Sequence, residues 1–466
     1  METPSGRGRP HAEPGIALEP GSVQTPLGAI LPLWTVLPFG LLLAAIAILP
    51  LAAPRWWETH GHKGMVALLL AAPLASFLLF AHGAEGGEAL GESLHDYLSF
   101  IALLGSLFVI SGGIHVGGSL PGTPLANTVF LGTGAVLANL IGTTGASMIL
   151  IRPLLRANAE RRRTAHVFVF FIFVVSNSGG LLTPLGDPPL FLGFLKGVPF
   201  LWTLGLWKQW LVVNAILLVV FHVIDELLLE REERERPEGL LDVVLEHRPI
   251  RVTGLHNLFF LAGVVGVMVA RGEGWGTGGE PWSFGIQEGA MALLAATAYV
   301  TTGSPLRVAN RFGFGPIVEV AVLFLGIFVT MTAPLLILNA RGAVLGLETP
   351  WHYFWATGAL SSFLDNAPTY LTFAATAAGE VGVSVAGESY LTHVLATDRG
   401  AALLAAISCG AVMMGANTYI GNGPNFMVRA IVEENGVSMP SFFGYMAWSA
   451  AVLLPTFLVV TLIFFR

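Results

Sequence analysis

Residues 176–189 read Ser176-Asn177-Ser178-Gly179-Gly180-Leu181-Leu182-Thr183-Pro184-Leu185-Gly186-Asp187-Pro188-Pro189, inside an apolar stretch, 165–200, that is too long for one ordinary bilayer helix. A second long stretch, 400–435, is cut in the same manner by Ala416-Asn417-Thr418-Tyr419-Ile420-Gly421-Asn422-Gly423-Pro424-Asn425. Glycine frees the backbone and proline removes a hydrogen-bond donor, so neither stretch can run as one continuous helix. Each interruption opens on an Asn and a hydroxyl residue, Asn177-Ser178 and Asn417-Thr418, which sets the two level at Asn177 and Asn417. Unwound backbone at membrane depth is tolerated only when buried in protein or lining a wet cavity. Its carbonyls can hold a cation, and the half-helix that restarts beyond it offers free N–H groups and a positive dipole end to an anion. One such break can be a proline kink with capping polar residues. Two in matching places point to a binding site near the bilayer midplane.

Composition agrees with a membrane setting. Of 466 residues, 54% are hydrophobic and 11% charged, too few charges for the surface of a soluble protein of this size. The mean hydropathy is +0.71. The net charge of −7 and the lack of a basic stripe argue against nucleic acid as a partner. The single cysteine, Cys409, excludes an internal disulfide and a cysteine zinc cluster. No Walker sequence, His-Glu-x-x-His or Gly-x-Ser-x-Gly is present, so neither ATP drive nor hydrolysis has support; no enzyme and no resident cofactor are expected.

Residues 1–30, rich in Pro and Gly, read as a disordered tail. Apolar segments follow at 31–53, 64–82, 98–117, 125–150, 165–200, 208–229, 254–271, 285–302, 315–338, 354–378, 400–435 and 442–465. The first is longer than a signal-peptide core and many spans follow it, so it reads as a span. The positive-inside rule places the cluster Arg152, Arg156, Arg161, Arg162 and Arg163 in the cytoplasm, with the loop 230–251 and that of Arg307 and Arg311. The loops 83–97, 272–284 and 379–399, acidic and nearly free of Lys and Arg, fall outside. If 125–150 crossed fully, Arg55 and Lys63 would lie opposite the arginine cluster. As a re-entrant hairpin it brings all basic loops to one side, and the same holds for 354–378. The expected fold is therefore an all-α polytopic membrane protein of two inverted repeats, 31–229 and 254–466, joined by a cytoplasmic linker, 230–253. Each repeat has five spans, one of them broken, and one re-entrant hairpin. An odd number of spans per half makes the halves inverted, a common frame for alternating access.

The hairpins are polar where a lipid-facing helix would not be. The first contains Asn139, Thr143 and Ser147, and the second reads Ser361-Ser362-Phe363-Leu364-Asp365-Asn366-Ala367-Pro368-Thr369-Tyr370. Asn139 and Asn366 read as hairpin tips or ligands. Asp187 and Asp365 are the two acids lodged in the motifs, and an intramembrane acid is costly and usually functional. In a water-poor cavity such a carboxylate can trade a proton for a cation, so both are candidate sodium ligands. Asp187 could also cap the half-helix starting at Pro188. Asn177, Ser178, Thr183, Asn417, Thr418 and Asn422 complete the candidate ion and solute set. Glu288, Glu319 and His115 read as helix-end or packing groups rather than relays, His166 and His222 as interfacial, and Lys196 as snorkelling.

At these residues the chain resembles the ion transporter superfamily, over about 31–466. Ser176-Asn177-Ser178-Gly179-Gly180, Pro184-Leu185-Gly186-Asp187 and Asp365-Asn366-Ala367-Pro368 are similar to elements of NhaD-type sodium/proton antiporters. Gly186-Asp187-Pro188-Pro189-Leu190-Phe191-Leu192-Gly193 looks like a subgroup described either as citrate transporters or as sodium/proton antiporters. The dicarboxylate branch has Ser-Asn-Thr in both halves; here the stretches are Ser176-Asn177-Ser178 and Ala416-Asn417-Thr418. The resemblance implies a multi-pass inner-membrane secondary transporter, often a homodimer. A sodium/proton antiporter leads, with cation-coupled citrate or another carboxylate as the alternative and Arg429 as the contact for such an anion. A non-transport membrane scaffold predicts no matched breaks.

Overall fold

The computed structural model describes residues 26–57, 59–118, 120–235, 249–278, 282–341, 345–385 and 389–466. Most of the expected tail, 1–25, and the middle of the expected linker, 236–248, lie outside the described residues. Regular structure is almost wholly helical. A short antiparallel pair, His115–Gly117 with Arg251–Thr253, sets Val116 opposite Val252.

The first half runs α1 (Leu37–Ala52), α2 (His60–Ser111), α3 (Pro124–Ala157), α4 (Ala165–Val174), α5 (Pro188–Leu195) and α6 (Trp207–Glu235). The second runs α7 (His256–Gly272), α8 (Ile286–Thr301), α9 (Gly315–Arg341), α10 (Pro350–Ser361), α11 (Asn366–Glu380), α12 (Asp398–Met414), α13 (Gly423–Glu434) and α14 (Phe442–Phe464). Among the described residues, eight helical stretches are long and apolar enough to cross a bilayer, so the chain is an all-α multi-pass membrane protein.

As one rod, α2 would be about 78 Å long, more than twice the hydrocarbon thickness. Gly83, at φ 54, breaks it. The two arms run in opposite directions along α9. Lys63 pairs with Glu319 at 2.6 Å, and a Cβ on Gly326 would touch Ala67, so on the first arm the positions rise together. On the second arm Ser93 bonds Thr332 (2.8 Å) and Tyr97 bonds the Ala321 carbonyl (3.0 Å), so they run against each other. The loop expected at 83–97 is thus helix. One left-handed glycine suffices for the turn, and the acid that suggested a loop has a buried partner: Asp96 pairs with Lys196 at 2.6 Å. Lys196 is accordingly buried and ion-paired, not snorkelling. The loop 379–399 also holds structure, the short helix Tyr390–Leu395, whose Leu391 N–H donates to the Lys196 carbonyl at 2.9 Å.

Both expected hairpins appear as reversals of the chain. α3 reverses at Gly142, φ 77, and its ends meet where Asn127 and Asn158 exchange amide hydrogen bonds of 3.0 and 2.9 Å. The ends of the α10–α11 hairpin meet under Arg399, which pairs with Glu380 at 2.5 Å and reaches the Glu348 carbonyl at 3.4 Å. Between the hairpins lie the broken helices. Of the window Ala165–Leu182, 89% is buried and of Asp398–Asn417 78%, against 22% for α2 and 28% for α14. The peripheral helices turn Leu68, Phe80, Val219, Leu293 and Val300 outward, as a lipid-facing surface requires.

One end of the bundle collects the arginines. Arg163 pairs with Glu235 at 2.6 Å and Arg311 with Glu434 at 2.5 Å, while Arg156, Arg161, Arg162 and Arg163 share a cavity with Asn435–Ser438. His166, expected at the interface, is buried at this end, with its Nε2 2.8 Å from Asp225. Asp225 also holds Arg161 at 2.6 Å and accepts from Asn127 at 2.9 Å. Removing one partner of a buried ion pair strands the other charge. Asp225→Asn is therefore expected to cost roughly 3 kcal/mol, read as a clear drop in thermal midpoint in detergent. His222 bonds Thr128 at 3.1 Å, and His115 bonds Asn310 at 2.8 Å. Glu288 closes the N-terminus of α8 and accepts from Ser99 at 2.5 Å, the helix-end role expected of it.

Candidate ion and solute site

Two breaks and two hairpins converge. Beyond α4 the chain makes a 3-10 turn, Ser178–Leu182, before α5 starts at Pro188; beyond α12 it makes a turn, Gly415–Asn417, before α13 starts at Gly423. In each break the backbone closes on itself at a glycine pair. A Cβ on Gly186 would lie 2.1 Å from the Gly180 carbonyl oxygen, and one on Gly421 2.5 Å from that of Gly415. Each break is laced to its own hairpin alike. The Thr183 hydroxyl donates to the Asn139 carbonyl (2.5 Å) and the Thr418 hydroxyl to the Ser362 carbonyl. Asn139 Oδ1 accepts from Leu182 N–H (2.7 Å), and Ser362 Oγ accepts from the Asn417 amide (2.8 Å).

These bonds set a register different from that read in the sequence. Gly180, Thr183, Gly186 and Asp187 match Gly415, Thr418, Gly421 and Asn422; Asn139 and Thr143 match Ser362 and Asn366. Asn417 is therefore level with Leu182, not with Asn177, because the glycine crossing, not the leading Asn, fixes the alignment. The corrected register puts four matched residues in one cluster. Asp187 Oδ1 accepts from the Thr143 hydroxyl (2.8 Å) and from the Asn422 amide (3.3 Å), while its Oδ2 accepts from the Asn366 amide. Asp187 is 1% exposed. Its side chain makes no cap bond to α5, so the capping role is not the one it takes.

A second set of amides locks the breaks together. Asn422 Nδ2 also reaches Asn177 Oδ1 (3.1 Å) and the Ser176 carbonyl (3.2 Å). Asn177 donates to Asn425 Oδ1 at 2.7 Å, and Asn425 donates to the carbonyls of Gly415 and Thr418, each at 2.9 Å. Asn425 was not singled out in the sequence. Its signal was the run Asn417, Asn422, Asn425, whose last member lies in the first turn of α13 and is buried. Asn139, Thr183 and Thr418 serve the lacing. Ser178 faces away, donating to the Phe173 carbonyl and to Asn214 on α6, both at 2.9 Å. Asp365 is half-buried and caps α11 through Ala367 N–H at 3.1 Å, at the edge of the cluster beside Asn366. Arg429 does not face the site. It pairs with Glu433 at 3.0 Å and lies 4.7 Å from the Tyr419 ring, because the i,i+4 partner on its own helix holds it there.

The electrostatics follow from this geometry. Four helical N-termini open on Asp187: the second arm of α3 at Thr143, then α5, α11 and α13. Each presents the positive end of a helix dipole. Among the described residues no Lys, Arg or His pairs with Asp187. A carboxylate buried without a cationic partner is neutralised by a proton or by a bound cation. Oxygen ligands for a hard cation are at hand. Asn366 Oδ1, beside the carboxylate, is buried with no hydrogen-bond partner among the described residues. No group of three or more His, Cys, Asp or Glu gathers among the described residues; the donors around Asp187 are hydroxyl and amide groups. A narrow cleft of about 80 Å³ reaches Asp187 between the first hairpin and a wall that includes Phe100, Leu107, Pro316 and Val320.

A family model described as "Putative citrate transport" matches residues 28–465, almost the whole chain. No curated protein matches it. The broken helices, the buried acid at their meeting point and an end-to-end family match thus lead to one statement: the chain belongs to this citrate-transport family, and it is a multi-pass membrane secondary transporter.

Proposed function

We propose that the transporter exchanges a small cation, sodium in the first instance, for protons at Asp187. The observation that carries this reading is a buried carboxylate held by three neutral donors, with an unpartnered amide oxygen of Asn366 beside it. Such a carboxylate stays neutral by holding either ion, one at a time, and this competition is the coupling step of antiport. The halves 31–229 and 254–466, inverted about the Asp187–Asn422 contact, rock to open the cleft on one side and then the other. The protein lies in the inner membrane with its arginine-rich end in the cytoplasm.

A second reading, cation-coupled uptake of citrate or a related carboxylate, is favoured by the family description and by the four convergent N-termini. It uses the same cation site, because a carboxylate solute approaching Asp187 needs a cation between the two negative groups. Arg429, turned onto Tyr419 and Glu433, offers such a solute no charge.

Proteoliposomes separate the two. Collapse of an imposed pH gradient on adding sodium or lithium alone supports antiport. Labelled citrate uptake that requires sodium, without such a collapse, overturns it. Asp365→Asn is expected to keep the cap on α11, since Asn and Asp cap equally well, and to lower exchange several-fold by removing the second charge at the cluster's edge. Unchanged exchange in that variant would remove Asp365 from the mechanism.

A further inference from the structure

A cavity at the arginine-rich end has no part in this transport reading. It holds about 750 Å³ and is walled by the C-terminal end of α3, the start of α4, the α13–α14 connection, Leu228 of α6 and Trp448 of α14. Among the described residues four arginines and one histidine line it, and no acid does. Arg161 lies at its back with a side chain closed to solvent. One of its nitrogens, Nη1, serves Asp225 at 2.6 Å and the Gly122 carbonyl at 3.2 Å. The other edge of the guanidinium, Nε and Nη2, is buried with no partner among the described residues.

That free edge decides the ligand. Nε and Nη2 form the planar fork that donates two parallel hydrogen bonds to an oxyanion. A buried guanidinium edge left unmet is costly, and an incoming pair of oxygens would satisfy it. Further positive charge surrounds it. Among the described residues Arg156 donates to the carbonyls of Val116 and Gly118, both at 2.9 Å, and pairs with no acid, and Arg162 is exposed at the rim. Three nearby acids already have partners. Asp225 is taken by Arg161 and His166, Glu235 by Arg163, and Glu232 by the backbone N–H groups of Arg162 and Arg163 at 3.1 and 2.8 Å. The cavity also has an apolar side, Leu155, Leu228 and Trp448. The neighbouring face of α6 turns Val219, Val223 and Leu227 outward at four-residue spacing, a stripe on which an acyl chain can lie.

We propose that this cavity binds the phosphate of an anionic lipid headgroup, with the Nε–Nη2 edge of Arg161 as its fork, Arg156 and Arg162 as flanking charges, and the acyl chains along α6. Basic pockets between spanning helices on the cytoplasmic side are suited to such headgroups. The site lies apart from Asp187, so it stands or falls separately from the transport reading.

Native mass spectrometry of the full chain released from mixed phosphatidylglycerol and phosphatidylcholine nanodiscs tests this. The expected result is retention of phosphatidylglycerol over phosphatidylcholine by roughly tenfold, lost in Arg161→Gln. Because Arg161 also neutralises Asp225, the double variant Arg156→Gln/Arg162→Gln is measured in parallel, and its preference should fall several-fold with its thermal midpoint lowered less than that of Arg161→Gln. Inorganic phosphate, added to detergent-solubilised protein in a thermal-shift assay, distinguishes the source. Protection by phosphate without any lipid preference overturns the lipid and leaves a soluble phosphate compound as the ligand. Equal retention of both lipids with no effect of phosphate overturns the site.

Discussion

Asp187→Asn is expected to reduce sodium-driven proton exchange to the level of protein-free vesicles while the protein remains folded. The substitution is nearly isosteric, and the cluster can absorb it. All three neighbours donate to the carboxylate, so an amide at position 187 would set one N–H₂ group against another. Asn366 relieves this by turning over, because its Oδ1 has no partner to lose and becomes the acceptor. The thermal midpoint should therefore move little. Transport fails for two reasons at once. The charge that held either a proton or a cation is gone, and the free amide oxygen is now tied to residue 187. Dye-reported pH inside proteoliposomes, read beside a melting curve of the same preparation, checks both halves of the statement. Exchange at the wild-type rate would place the coupling site elsewhere.

The same cluster shows what could be read from sequence and what could not. The breaks and the chain reversals at both hairpins were legible, because Gly and Pro in apolar stretches are strong one-dimensional signals. Asp187, Asn366, Asn422 and Thr143 were named on residue type and depth, and the structure brings all four together. Their mutual register was not legible. Asn177 and Asn417 look alike along the chain, yet the alignment is set by backbone crossing itself at Gly180–Gly186 and Gly415–Gly421, a contact no local pattern displays. Ion pairs were missed for a related reason. Asp96 and Lys196, or Arg161 and Asp225, are far apart in sequence and each looks like an end-of-span charge until packing joins them. The free fork of Arg161 is visible only as a residue of that packing.

The crossings themselves carry the other large prediction. At Gly186 a methyl group would sit 2.1 Å from the carbonyl oxygen of Gly180, and at Gly421 it would sit 2.5 Å from the Gly415 oxygen and 2.7 Å from that of Ser361. These are backbone atoms, and no side-chain rotation relieves them. Neither glycine has a positive φ, so the constraint is close approach alone. The only relief is to pull the two strands of the break apart. At Gly186 this would also stretch the Thr143 N–H to Gly186 carbonyl bond of 2.8 Å and move Asp187 off its three donors. Gly186→Ala and Gly421→Ala are each expected to destabilise the protein by roughly 3 kcal/mol or more, as clashes in a packed interior do. Gly423→Ala lies in the same motif, but its added methyl group would meet nothing within 4 Å, so its effect is expected to stay within about 0.5 kcal/mol. Thermal midpoints of the three variants in one detergent make the comparison. If Gly186→Ala and Gly423→Ala melt together, the tight crossing that aligns the halves and gathers Thr143, Asn366 and Asn422 around Asp187 is not how this protein is built.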